Sequence, residues 1–288
     1  LTPLGDPPLF LGFLKGVDFF WTTGAMLPPL LFIATCLFII YFLLDSYYYR
    51  KESPLPVRPT ENNEKFAIEG KINLLLLLGV IGSVLLSGLW QPGIHFTVYH
   101  MKLELQDVVR DLLLIVLTLI SVKVTSRQIR DMNEFTWFPI VEVAKLFAGI
   151  FVTIIPAIAI LRAGADGALS AVIMSVTNQG EPVNYMYFWA TGTLSSFLDN
   201  APTYLVFFNT AGGDPITLMT THHNTLLAIS AGAVFMGANT YIGNAPNFMV
   251  KSISESYGVK MPSFLGYLMK YSVPILVPLF VLVSLIFF

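Results

Sequence analysis

The sequence predicts an all-α polytopic membrane protein containing an inverted repeat, a re-entrant hairpin and broken helices. Three observations carry that expectation. Of its 288 residues, 55% are hydrophobic and only 12% charged, with a mean hydropathy of +0.70. A soluble domain carries roughly 25% charged residues, so this chain cannot clothe a globule in water. Several apolar runs reach the roughly 20 residues that cross about 30 Å of hydrocarbon. Two further pairs of runs are too short and are interrupted by Asp, Asn, Gly and Pro.

Five full spans are expected. Residues 26–49 form the first, ending in three tyrosines and then Arg50 and Lys51. Residues 72–90 form the second, with Trp90 as an interfacial anchor. Residues 111–124 are shorter, and 103–109 extend them. Residues 138–161 qualify, with Pro156 as a kink, and 264–288 qualify despite Pro274 and Pro278. The interrupted pairs are 185–198 with 203–210, joined by DNAP, and 225–238 with 247–256, joined by NTYIGNAP. Apolar runs of roughly 10–14 residues suit re-entrant or broken segments. Non-helical backbone at membrane depth is tolerated only beside protein or a water-filled cavity. These breaks are therefore the candidate sites.

Orientation follows from Lys and Arg. Residues 50–71 carry Arg50, Lys51, Arg58, Lys65 and Lys71; 123–136 carry Lys123, Arg127 and Arg130; 251–263 carry Lys251 and Lys260. All three groups fall on the cytoplasmic side if 185–210 enters and leaves the membrane from the other face. Self-similarity supports the same drawing. TPLGDPPLF at 2–10 and TYIGNAPNF at 240–248 share four of nine residues, with Asp6 opposite Asn244. Each motif precedes a short apolar helix and a long span, and the charge bias runs the two copies in opposite directions. The organisation expected is 1–49 as the end of a first repeat, 50–71 as a cytoplasmic linker and 72–288 as the second repeat. The hairpin is then 185–210 and the broken helix 225–256. Inverted repeats with broken helices meeting near the midplane mark secondary transporters.

Residues 199–203 (DNAPT), 237–246 (GANTYIGNAP) and 1–17 (LTPLGDPPLFLGFLKGV) resemble the hairpin tip and the two broken helices of the ion transporter superfamily. Within it, the chain is similar to the NhaD-type sodium/proton antiporters and the CitMHS-like family of citrate transport proteins. The resemblance covers essentially the whole chain. It implies two inverted repeats, each with a hairpin and a broken helix. The first hairpin and its preceding spans are missing here, so the resemblance also implies a C-terminal fragment lacking half of the ion site.

A charged side chain near the bilayer centre costs at least about 2.5–3.5 kcal/mol on insertion scales, so Asp199 is expected to face a cavity. The plainer reading is an N-cap of the second hairpin arm, with Pro202 in its first turn. A hard monovalent cation wants several oxygen ligands. Asp199, Asn200, Thr203, Asn239, Thr240 and Asn244 supply them, with freed carbonyls near Gly237 and Gly243. Asp6 is the counterpart in the other repeat, although GDPP is also an ordinary turn. Thr2 and Gly5 match Thr240 and Gly243. Burial favours the protonated form of a carboxylate, which then takes a proton or a cation in turn. That competition makes an exchanger.

The expected function is sodium/proton antiport in a bacterial inner membrane, not enzymatic, with sodium and protons as the transported ions. The alternative is sodium- or proton-coupled transport of a citrate-like carboxylate or other anion by the same superfamily. An intramembrane diaspartyl protease is a third class. LGD at 4–6 echoes its Gly-x-Gly-Asp motif only faintly, and no Pro-Ala-Leu motif follows. No cofactor is expected. The partners expected are the bilayer, sodium and a proton, with a homodimer left open and no nucleic acid. Cys36 lies alone in an apolar run, and no P-loop, nucleotide fingerprint or zinc motif is present. His222 and His223 read as interfacial, Glu142 and Lys145 as a surface pair at i,i+3. Gly232, Ala233 and Gly237 read as permitting close helix packing.

Overall fold

The computed structural model describes residues 2–3, 5–51, 69–90, 92–98, 101–133, 135–153, 156, 159, 160, 163, 166–168 and 170–288. The expected linker therefore falls largely outside the described residues, as does most of 154–162. The side chain of Glu142 falls outside them too, so the pair expected with Lys145 is not described. The chain divides into two compact units, one of residues 1–51 and 137–288 and one of 52–136.

In the smaller unit, α3 (Ile72–Leu89) and α4 (Leu105–Val124) pack together, joined through a short antiparallel ribbon, β1 (His95–Val98) and β2 (Met101–Glu104). The ribbon corrects the expected helical extension over 103–109, because Leu103 and Glu104 belong to β2 and the helix begins at Leu105. A small amphipathic turn of helix, α5 (Arg127–Met132), follows and is capped by Ser126, whose Oγ accepts the Ile129 N–H.

The larger unit starts with α1 (Pro7–Leu14) and the long α2 (Trp21–Tyr49). Thr22, Met26, Pro29 and Ile33 form one buried stripe on α2, while Phe38, Tyr41, Phe42 and Leu43 beyond it stay exposed. A helix so apolar all round has its exposed faces in lipid. By length and composition α2, α3 and the last helix can each cross a membrane. After α6 (Phe138–Thr153) and α7 (Ser170–Ser175) comes a two-residue ribbon, β3 (Thr177–Asn178) with β4 (Glu181–Pro182). The described residues are thus mostly helical, with two minor ribbons among them.

The interrupted regions form two pairs of short helices. The hairpin arms are α8 (Asn184–Phe197) and α9 (Asn200–Thr210), with only Leu198 and Asp199 extended between them. The second arm begins earlier than the residue composition suggests. Pro202 lies in the first turn, where a missing N–H breaks no helical bond. A short α10 (Pro215–Met219) leads to α11 (His223–Met236), a 3₁₀ turn over Gly237–Asn239, the extended break and α12 (Ala245–Ser256). The last helix, α13 (Phe264–Phe287), widens into a π-helix over Leu268–Leu276 with Pro274 inside it.

The core lies where α8, α9 and α11 meet, around Tyr187, Phe188, Tyr204, Phe207, Leu226 and Ile229. Lipid tails are as apolar as leucine, so apolar burial gains little here and close packing with interhelical hydrogen bonds must hold the unit. The seam of α8 and α11 shows both. A Cβ on Gly232 would strike the Phe188 carbonyl, and one on Gly192 would strike Met236. Asn184 faces Thr225 near the start of each helix, and Ser196 faces Met236 near the end of each. The two helices therefore run parallel and finish at the same level.

Candidate functional site

That parallel register brings the hairpin tip against the break. Ser195 Oγ donates to the Ala233 carbonyl at 2.7 Å, and Ser196 Oγ donates to the carbonyls of Gly192 at 2.8 Å and Met236 at 2.9 Å. Asn239 Nδ2 donates to Ser196 Oγ at 2.9 Å, and Thr240 Oγ1 donates to the Ser196 backbone carbonyl. Asn239, Thr240 and the tip thus form one buried polar knot. Asn200, Thr203 and Thr240 are wholly buried, while Asp199 is 8% and Asn239 6% exposed.

The break is folded tightly on itself. Asn244 caps α12, its side-chain oxygen accepting the Asn247 N–H at 3.1 Å. Asn247 Nδ2 donates to the carbonyls of Gly237 and Thr240, each at 2.9 Å. A Cβ on Gly243 would collide with the Gly237 carbonyl, so only glycine fits there. Asp199 occupies the N-cap position of α9 and faces the Asn200 and Ala201 N–H groups without closing a capping bond. Thr203 spends its hydroxyl proton on the Asp199 carbonyl at 3.0 Å.

Asp6 reaches the same tip from α1, accepting from Asn200 Nδ2 at 3.1 Å. It stands at the N-cap of α1 with φ −146° and ψ 127°, and Asn244 stands at the N-cap of α12 with φ −157° and ψ 159°. The two matched motifs therefore begin helices with the same local backbone. Thr2 and Gly5 close a turn through Gly5 N–H and the Thr2 carbonyl at 3.0 Å. Gly5 is exposed, and neither residue is hydrogen-bonded to the tip or the break among the described residues.

Two donor and acceptor balances single out the site. Ser196 gives its proton to carbonyls, so it can only accept from Asn239, and the Asn239 amide must present its NH₂ there. Its oxygen is then left without a donor. Asn200 likewise commits its NH₂ to Asp6, leaving its own oxygen without a donor among the described residues. Both oxygens are buried. A buried acceptor without a partner costs roughly 1–3 kcal/mol.

Several contributors were not read from sequence. Ser195, Ser196 and Asn247 shape the break, and α13 supplies two more groups. Ser272 Oγ donates to the Asn239 carbonyl at 2.7 Å, and Tyr267 Oη to the Ala238 carbonyl at 3.4 Å. Away from the site, His223 meets Trp21 edge-on at 5.0 Å, and both histidines line a cavity of about 260 Å³ with Glu181 and Asn184.

Helices broken at one shared level, with acidic and amide side chains gathered there, define a membrane protein of the transporter class. The family described as "Putative citrate transport" matches residues 1–288, and the chain belongs to that family. No curated protein and no solved structure matches it.

Proposed function

We propose that the protein is a cation-coupled secondary transporter of a citrate-like carboxylate, with sodium bound between the hairpin tip and the break. The observation that carries this reading is the pair of buried amide oxygens, Asn200 Oδ1 and Asn239 Oδ1, that no donor among the described residues satisfies. A cation supplies the missing positive partner to both. Asp199 and Asp6 beside them supply the neutralising charge, and no lysine or arginine pairs with either among the described residues.

The ends of the broken helices divide the labour. The C-terminal ends of α8 and α11 offer carbonyls, which suit a cation. The N-terminal ends of α9 and α12 offer N–H groups, which suit a carboxylate. Family membership supports a citrate-like anion as the carried species. The shared N-cap geometry of Asp6 and Asn244 supports the inverted repeat.

Sodium/proton antiport is the second reading, favoured by two carboxylates at the tip where amides alone would hold a cation. Proteoliposomes separate the two. Under an inward sodium gradient the first reading expects labelled citrate to accumulate, with no proton efflux when citrate is absent. Sodium-driven proton flux without citrate, and no citrate uptake, would decide for antiport.

A further inference from the structure

We propose that the end of the smaller unit carrying Lys71, Lys123, Arg127 and Arg130 binds the headgroup of an anionic phospholipid, with Arg130 holding its phosphate. The place is a cavity of about 230 Å³ between the first turn of α3, the last turn of α4 and α5. Its walls include the apolar Val122, Ile129 and Phe135, and its polar members include Asn73, Thr125 and Arg130.

The floor is already satisfied. Asn73 Nδ2 donates to Thr125 Oγ1 at 2.9 Å, and the hydroxyls of Ser121 and Thr125 donate to Asn73 Oδ1 at 2.9 and 3.1 Å. These groups tie α3 to α4 and make no demand on a ligand. Arg130 differs. One Nη1 hydrogen goes to the Val122 carbonyl at 3.0 Å, which satisfies a C-terminal carbonyl of α4 and fixes the guanidinium in place. No partner among the described residues takes the remaining donors of its five. Among the described residues no carboxylate pairs with Arg130, not even neighbouring Asp131, and none pairs with Lys71, Lys123 or Arg127.

Depth and sign then choose the ligand. Asn73 lies in the first turn of α3, a helix long and apolar enough to span, so the cavity sits at headgroup level. Leu74, Leu77 and Leu78 on the same helix are exposed, which sets acyl chains beside it. Four cations at one end follow the bias that marks the cytoplasmic leaflet, where anionic lipids reside. Free phosphate would gain nothing from Val122, Ile129 and Phe135, whereas a glycerol backbone and the tops of its chains would cover them.

Native mass spectrometry on the delipidated full chain, titrated with phosphatidylglycerol, phosphatidylcholine or inorganic phosphate, tests this. One phosphatidylglycerol should be retained about fivefold better than phosphatidylcholine, the effect of roughly one basic residue at an anionic surface. Arg130→Gln should remove the preference, and Arg130→Lys should keep part of it. Val122→Phe leaves every charge in place but fills the cavity, and it should also remove the preference. Equal retention of the two lipids by the unaltered protein would overturn the proposal. So would an undiminished preference in Val122→Phe, which would mean diffuse surface attraction, or displacement of the lipid by equimolar phosphate.

Discussion

Asn200 Nδ2 donates to Asp6 Oδ1 over 3.1 Å, joining side chains 194 positions apart in sequence. The bond ties the hairpin tip to the start of α1, and α1 and α9 pack along one another beyond it. It also decides which way the Asn200 amide faces. With its NH₂ committed to a carboxylate, its oxygen is the buried acceptor left without a donor among the described residues. One contact thus both links two distant segments and orients the Asn200 amide.

Asn200→Ala removes that oxygen and the tie to Asp6 together. Under the sodium-coupled uptake proposed above, loss of this oxygen should raise the sodium concentration at half-maximal uptake by about tenfold, equivalent to ~1.4 kcal/mol. Asp6→Asn keeps the size of the side chain, so the fold should survive while the charge beside the cation is lost. Sodium titrations of uptake in proteoliposomes measure both. Unchanged sodium dependence in Asn200→Ala would remove this residue from the site.

Gly243→Ala should abolish transport. Its Cβ would run into the Gly237 carbonyl, which is backbone and cannot swing aside. Gly237 is itself held by Asn247, so the whole break would have to open. Gly82→Ala is the matched control. It lies within α3 with nothing near its Cβ position, and alanine there should stabilise the helix by roughly 0.5–1 kcal/mol. Thermal unfolding in detergent and uptake assays on both variants check the contrast.

The breaks were visible in sequence because Asp, Asn and Pro inside an apolar run carry a cost that must have a cause. Asp199, Asn200, Asn239 and Asn244 stand out for that reason, and Asn239 is hydrogen-bonded to the hairpin tip through Ser196. The serines did not stand out. Ser195, Ser196 and Ser272 look like small packing residues, and a single sequence does not say which carbonyl a hydroxyl will face. Asn247 was hidden one turn into a helix. The π-helix in α13 was hidden as well, since Pro274 in an apolar run predicts a kink as readily as a widened turn. The ribbon over 95–104 was missed because its four-residue strands are too short for their alternation to register.

Asp214 lies outside the membrane-spanning segments and caps α10, its carboxylate accepting the Thr217 N–H at 2.8 Å. The Thr217 hydroxyl and then its N–H hold the Asp214 carboxyl below the usual carboxylate range. A depressed folded-state pKa contributes stability that is present above the unfolded value, about 3.9, and lost as pH falls through the folded value. Hydrogen exchange over 215–219 should therefore quicken as pH is lowered below about 4, after correction for the intrinsic rate. In Asp214→Asn that extra loss of protection should be absent.

Ser272 joins the last helix to the site and gives the remaining prediction. Pro274 has no N–H to offer the preceding turn, and the ladder around it widens to π spacing. The wider turn carries Ser272, wholly buried, to the Asn239 carbonyl at 2.7 Å. Asn239 is the last residue of the 3₁₀ turn at the end of α11, so the serine holds the residue whose side-chain oxygen lacks a donor among the described residues. Ser272→Ala leaves a buried carbonyl short of one donor, which costs about 1–3 kcal/mol and loosens Asn239. Sodium affinity should fall while maximal uptake changes less, because no ligand atom is removed. Ser272→Thr keeps the hydroxyl and should restore most of the affinity. Pro274→Ala gives the turn back its N–H and lets it relax to α spacing, which rotates position 272 away. It should mimic Ser272→Ala, and adding Ser272→Ala to it should do little more. Full additivity of the two changes in a double-mutant cycle would show that the π-helix does not place the serine.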